Sequence, residues 1–194
     1  MKYAEAAAQI ADYRRQIHAL REKLLQTRRA AQPEPVQDYE LHSAAGAVRL
    51  SQLFGGHDDL IVVHNMGKGC PACTMWADGY NGLHPHLSSR AAFVVSSPDA
   101  PEVQRQFAAT RGWRFPMVSH AGSTFAADMG YRSGTRWLPG VSVFRRSADG
   151  LARVGDTGFS PGDDFCATYH FFDLLPQGAG DWHPKFSYGA AGTT

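Results

Sequence analysis

Long apolar runs are missing from this sequence, and none approaches the length of a membrane span. Cysteine is scarce. Three in 194 residues are too few and too unevenly spaced for a disulfide scaffold. Charge of one sign is missing too: 19 Lys+Arg stand against 18 Asp+Glu. Such a balance excludes a strong field that would draw nucleic acid or an anionic membrane, so neither is expected as a partner. There is no internal repeat. Gly55-Gly56 is too weak a signal for a phosphate cradle, so no nucleotide, flavin or haem site is expected, and no cofactor. The first residues carry Glu5, Asp12, Arg14 and Arg15 and no apolar core, unlike a secretory signal. A reducing cytoplasm is therefore expected, where a Cys-x-x-Cys pair is catalytic or metal-binding rather than structural.

What is present centres on residues 60–76. Leu60-Ile61-Val62-Val63 reads as a buried strand rich in β-branched residues. Gly67 and Gly69 allow a sharp turn, and Pro71 suits the first turn of a helix. Cys70 and Cys73 thus fall where a strand hands over to a helix N-terminus. The partial positive charge there favours a thiolate, and the thiolate is the reactive species.

Taken in order, Tyr3 to Arg29 reads as one helix. Ile10, Tyr13, Ile17, Leu20 and Leu24 form a short a/d seam, and the arginines lie mostly off it. This arm packs on its own domain or on a second subunit, so a homodimer through it is an expectation. Pro33-Glu34-Pro35 reads as a stiff linker. Tyr39–Leu41 and Ala47–Leu50 suggest a hairpin, and Ser51–Phe54 one helical turn. The helix after the cysteines is expected to reach about Tyr80, weakened by Gly79 and Gly82 and kinked near Pro85. Ala91–Ser96 is a second buried strand, and Glu102–Thr110 a helix with Pro101 in its first turn and Gly112 as its cap. Phe115–Ser119 is extended, and Phe125–Met129 is a short helix. Val141–Arg145 and Leu151–Val154 form a hairpin around Ala148-Asp149-Gly150. A last helix capped by Asp163 or Asp164 carries Phe165, Tyr169 and Phe172 on one face and stops at Pro176. The expected organisation is a helical arm over 1–32, a domain over 36–177 and a tail over 178–194.

A β-α-β start, an antiparallel hairpin and a closing helix resemble the thioredoxin-like α/β fold, a mixed central sheet flanked by helices. The extra N-terminal β-hairpin resembles its peroxiredoxin branch. In such a site Cys70 attacks a substrate disulfide and Cys73 resolves the mixed disulfide, and Lys68 is expected to help lower the Cys70 pKa. The competing reading is metal binding. A structural zinc site needs four ligands, and His64, His84, His86 and His120 show no ligand spacing, so no metal is expected. Thioredoxin-superfamily proteins place a buried aspartate six positions before the first cysteine, and His64 holds that position here. It is either a proton acceptor for Cys73 or a core histidine. Leu138-Pro139-Gly140-Val141 resembles the segment in which that superfamily sets a cis-proline facing the cysteines. Pro139 is expected to be cis and to face the pair and the substrate.

Several separated motifs resemble the bacterial family catalogued as domain of unknown function 899. They include Leu50-Ser51-Gln52-Leu53-Phe54, Cys70-Pro71-Ala72-Cys73-Thr74-Met75-Trp76-Ala77-Asp78-Gly79, Gly112-Trp113-Arg114-Phe115-Pro116 and Thr168-Tyr169-His170-Phe171-Phe172. The resemblance implies the thioredoxin-like fold. Trp76 is expected in the core or beneath the pair, and Asp78 as a surface charge or an anchor. Cys166 is expected as a small buried hydrophobe.

The expected function is a thiol–disulfide oxidoreductase acting on a protein or small-molecule disulfide, with an electron donor the sequence does not name. The alternatives are a peroxiredoxin-like peroxidase led by Cys73 and a metal carrier using Cys70, Cys73 and a histidine. The peroxidase pattern wants a threonine where Cys70 stands, and Arg136 is the nearest candidate for its arginine.

Overall fold

Period-2 side-chain alternation along one buried strand decides how this molecule is layered. The computed structural model describes residues 1–189 and contains two compact units, one of Met1–Glu34 and one beginning at Pro35. The first unit is built on α1 (Tyr3–Ala30). Its Ala-rich sequence favours helix. Glu5 accepts from the Lys2 N–H at 3.0 Å, and Asp12 accepts from Arg15 and Gln16 one turn on.

β1 (Glu34–Val36), which starts at the boundary, and β2 (Glu40–Ser43), β3 (Gly46–Arg49), β4 (Asp59–His64), β5 (Ala92–Ser97) and β6 (Met117–Ser119) of the second unit belong to one sheet. β7 (Arg132–Ser133) and β8 (Arg136–Trp137) make a separate ribbon, and β9 (Gly140–Ser147) and β10 (Gly150–Gly158) return to the main sheet. The sheet order is β1-β10-β9-β4-β5-β6-β2-β3. β4, β5 and β6 run parallel, while β9 is antiparallel to β4, and β2 to β6. The parallel pairs are bridged by α2 (Pro71–Ser88) and α3 (Pro101–Arg111). α4 (Phe125–Asp128) precedes the ribbon, and α5 (Ala167–Phe172) follows β10. This is the expected thioredoxin-like α/β arrangement, with its N-terminal hairpin at the sheet edge.

The central strands are covered on both faces. Val63, Phe93 and Val95 pack with Trp76, Ala77 and Tyr80 of α2, which makes this the near face. Leu60, Val62 and Val94 pack on the far face with Phe54, Phe125 and Phe144. Each such side chain, fully buried, contributes roughly 1.5–3 kcal/mol.

Four local expectations are corrected. α2 is not interrupted at Gly79 or Pro85 and runs past Tyr80 to Ser88. Packing of Trp76, Ala77 and Tyr80 outweighs glycine propensity, and Pro85 falls in the last turn. Residues Glu34–Val36 are a short edge strand rather than a bare linker. The β7–β8 ribbon was not expected, since its polar sequence lacks alternation. α5 starts at Ala167 because Asp163 instead bonds the N–H groups of Ser160 and Phe165, at 2.8 Å each. The expected tail runs into residues 190–194, which lie outside the described residues.

Candidate active site

The cysteines owe their placement to a braced turn. β4 ends at His64, and the next residue, Asn65, accepts from the Gly67 N–H at 2.8 Å. Gly67 has φ 99°, a conformation that disfavours a side chain, and a Cβ there would meet the Asp99 carboxylate at 3.0 Å. Asp99 also accepts from the Lys68 N–H at 2.7 Å, and the Cys70 N–H donates to the Gly67 carbonyl at 3.1 Å. Pro71 opens α2, where its missing N–H costs nothing.

Cys70 is the residue that caps α2. Its sulfur accepts from the Cys73 N–H at 3.1 Å, and its carbonyl accepts from Thr74 Oγ1 at 3.0 Å. Cys70 is half-buried, Cys73 is buried, and both are free thiols. A hydrogen bond from the Cys73 thiol, helped by the N–H groups of Cys73 and Ala72, brings the Cys70 pKa down to about 7 against the opposing effect of burial. The same bond and burial push Cys73 far up. The helix N-terminus therefore divides the pair into one thiol poised to ionise and one held protonated. Exposed Lys68 is not among the groups that lower Cys70, contrary to expectation.

Trp76 and Tyr80 lie below the pair on α2. Both are buried, and Trp76 Nε1 and Tyr80 Oη have no hydrogen-bond partner. They line a cavity of about 10 Å³ together with Cys73, His64, Pro139 and Phe159. Burial, the nearby Asp163 carboxylate and the two cysteines Cys73 and Cys166 raise the Tyr80 pKa. Cys166 is buried in the same near-face core. Asp78 is an anchor: it pairs with Arg111 and accepts from Trp113 Nε1 at 2.8 Å. Asn81, which the sequence reading gave no task, clamps the loop after α3 by bonding the Gly112 carbonyl and the Arg114 N–H, each at 2.9 Å.

His64 meets the cavity from the end of β4, yet its ring belongs to the far face. Counting by twos from Leu60 and Val62 puts it on their side, away from α2. Its Nε2 lies 3.0 Å from Ser142 Oγ, and its ring stacks on Tyr131 at 3.9 Å. Burial, reinforced by His120 and Arg153, lowers its pKa well below the usual histidine value, so it is neutral. Its Nδ1 has no partner and makes no bond to Cys73. A second buried histidine, His120, repeats the pattern on the same face, with Nδ1 at 2.8 Å from Ser96 Oγ and an unpartnered Nε2. In the sequence, His120 stands out only as a candidate metal ligand.

Pro139 does line the cavity with Cys73, but the cis bond expected there is absent. The bond is trans, the lower-energy isomer, and backbone hydrogen bonds hold the residues beside it. The Leu138 N–H donates to the Tyr131 carbonyl, and the Pro139 carbonyl accepts from the Phe159 N–H, each at 2.9 Å. Among the described residues no group of three or more His, Cys, Asp or Glu side chains is placed to hold a metal ion.

A family model described as a bacterial protein of unknown function, DUF899, matches residues 1–188. No curated protein matches the chain. Among solved structures, it is similar to peroxidoxin BcpB from Mycobacterium tuberculosis, with 26% identity, a TM-score of 0.54, and coverage of 66% of this chain and 86% of that one. It is similar in fold to reduced Prx3 from Vibrio vulnificus, with 15% identity, a TM-score of 0.55, and coverage of 69% and 89%. A PrxQ mutant from Xylella fastidiosa gives 15% identity, a TM-score of 0.53, and coverage of 66% and 87%. These likenesses establish a thioredoxin-like fold of the peroxiredoxin kind.

Proposed function

The chain belongs to the bacterial family of unknown function DUF899, and within it we propose a thiol–disulfide oxidoreductase that works through Cys70 and Cys73. One observation carries the reading: the two thiols of one helix turn are opposite in accessibility and acidity. The half-exposed Cys70, with its pKa near 7, is a thiolate for about half the time at neutral pH. It attacks one sulfur of a substrate disulfide. The substrate S–S bond breaks, a Cys70–substrate disulfide forms, and the other substrate sulfur leaves as a thiolate that takes a proton from water. Cys73 then attacks the Cys70 sulfur, and its proton passes to the substrate sulfur that departs. The mixed bond breaks, the second substrate thiol leaves, and Cys70–Cys73 becomes a disulfide. Two electrons pass to the substrate, and a dithiol reductant restores the pair.

His64 is assigned a supporting role, holding Ser142 and Tyr131 behind the strand that carries the turn. Pro139 forms the cavity wall against Cys73. The peroxidase reading draws on the likeness to peroxiredoxins, but it would ask the buried, protonated Cys73 to make the first attack. The metal-carrier reading finds no preformed group of three or more ligands among the described residues.

Reduction of a model aromatic disulfide tests the proposal. Cys70→Ser should abolish turnover. Cys73→Ser should stop after one attack and leave a mixed disulfide on Cys70, visible as an adduct in intact-protein mass spectrometry. Peroxide consumption that survives Cys70→Ser and vanishes in Cys73→Ser would replace this reading with the peroxidase one.

A further inference from the structure

Helix α1 runs 28 residues without burying one. Helices in proteins owe most of their stability to packing an apolar face, and this one has such a face uncovered. Ile10, Tyr13, Ile17, Leu20 and Leu24 alternate three and four apart, and each is between 48% and 63% exposed. They fill the a and d positions of successive heptads: Ile10, Ile17 and Leu24 at a, Tyr13 and Leu20 at d. A two-per-heptad seam is the width that one further helix covers; a helix lying on a sheet or in a core needs a broader stripe. We propose that α1 is a dimerisation element that forms a parallel, in-register, two-stranded coiled coil with α1 of a second copy.

The flanking charges choose the direction. The e positions hold Arg14, Arg21 and Arg28, and the g positions hold Gln9, Gln16 and Lys23. In a parallel pair each g residue faces the next e residue across the seam. Gln9 then meets the partner's Arg14, Gln16 the partner's Arg21, and Lys23 the partner's Arg28. In an antiparallel pair e faces e, which sets arginine against arginine. Ile10 and Ile17 at a with Leu20 at d also favour two parallel strands. The remaining like-charge contact at Lys23 makes the dimer tighten as salt screens it. Nucleic acid bound to the same basic flank would instead be released by salt.

Sedimentation of the full chain at low and high ionic strength reads these outcomes. The chain should sediment as a dimer whose dissociation constant falls with added salt. Ile17→Asp with Leu20→Asp should give a monomer with the disulfide-reducing rate per chain unchanged, while Leu25→Asp, one position off the seam, should stay dimeric. In a Cys70→Ser/Cys73→Ser background, Leu24→Cys should crosslink to its own copy under mild oxidation. A monomeric wild-type chain, a dimer untouched by the seam substitutions, or salt-released nucleic acid in place of a second copy would overturn the proposal. A dimer without the Leu24→Cys crosslink would overturn its parallel direction.

Discussion

The two faces of the central sheet bury polar groups of opposite use. On the near face, α2 holds two thiols at its N-terminus and biases one of them toward ionisation. On the far face, His64 and His120 are each tied to a serine and kept neutral by burial. Access accounts for the difference. Cys70 sits at the rim, where a helix end supplies N–H groups to a forming anion. The histidines sit among Phe125, Tyr131 and Trp137, where a charge would lose its water without gaining a counter-ion. Under the proposed function, the first face exchanges electrons with a partner, and the other holds up the strands that carry it.

The comparison breaks most severely at Gly140. A Cβ there would lie 2.1 Å from Tyr131 Cε1 and 2.6 Å from the Thr157 carbonyl. Gly140→Ala must displace Tyr131 from His64, and thermal unfolding should show a loss of about 3 kcal/mol. Acid separates the faces without mutation. Burial, followed by Arg132, lowers the His120 pKa from 6.5 to about 4, and His64 is lowered as well. Between those values the unfolded chain takes up protons that the folded chain refuses. Stability is therefore fully present above pH 6.5 and falls as pH drops toward 4, by about 3 kcal/mol from His120 alone. Thiol attack by Cys70 should instead fall off below about pH 7, so a stopped-flow alkylation profile and a denaturant series will have displaced midpoints.

His64→Ala sharpens the comparison further. It should cost about 2 kcal/mol in a denaturant titration, through a cavity beside Tyr131, with the rate of Cys73 resolution unchanged. A folded variant with slow resolution would return His64 to the role of proton acceptor. The smallest effect belongs to Asp78→Ala on the near face. Losing the Arg111 pair and the Trp113 hydrogen bond should cost about 1 kcal/mol in thermal unfolding, while the alkylation profile of Cys70 keeps its midpoint.

Much of this was legible in residue order. Apolar runs marked β4 and β5, Pro101 and Gly112 marked the ends of α3, and the Gly67–Pro71 turn announced a helix start at the cysteines. The length of α2 was not legible, because glycine propensity argues locally and the packing of Trp76 and Tyr80 is tertiary. Nor was the β7–β8 ribbon, whose pairing leaves no hydrophobic period.

The sequence alone determined the chemistry on offer: two thiols one turn apart at a helix start, a heptad seam in α1, and the alternation that sends His64 to the side of Leu60 and Val62. Only the tertiary structure decided how these groups are used. Hydrogen bonds and burial, which depend on what the fold packs beside each atom, separated Cys70 from Cys73. The same packing kept Pro139 trans beside an occupied backbone and held the two histidines neutral behind the sheet.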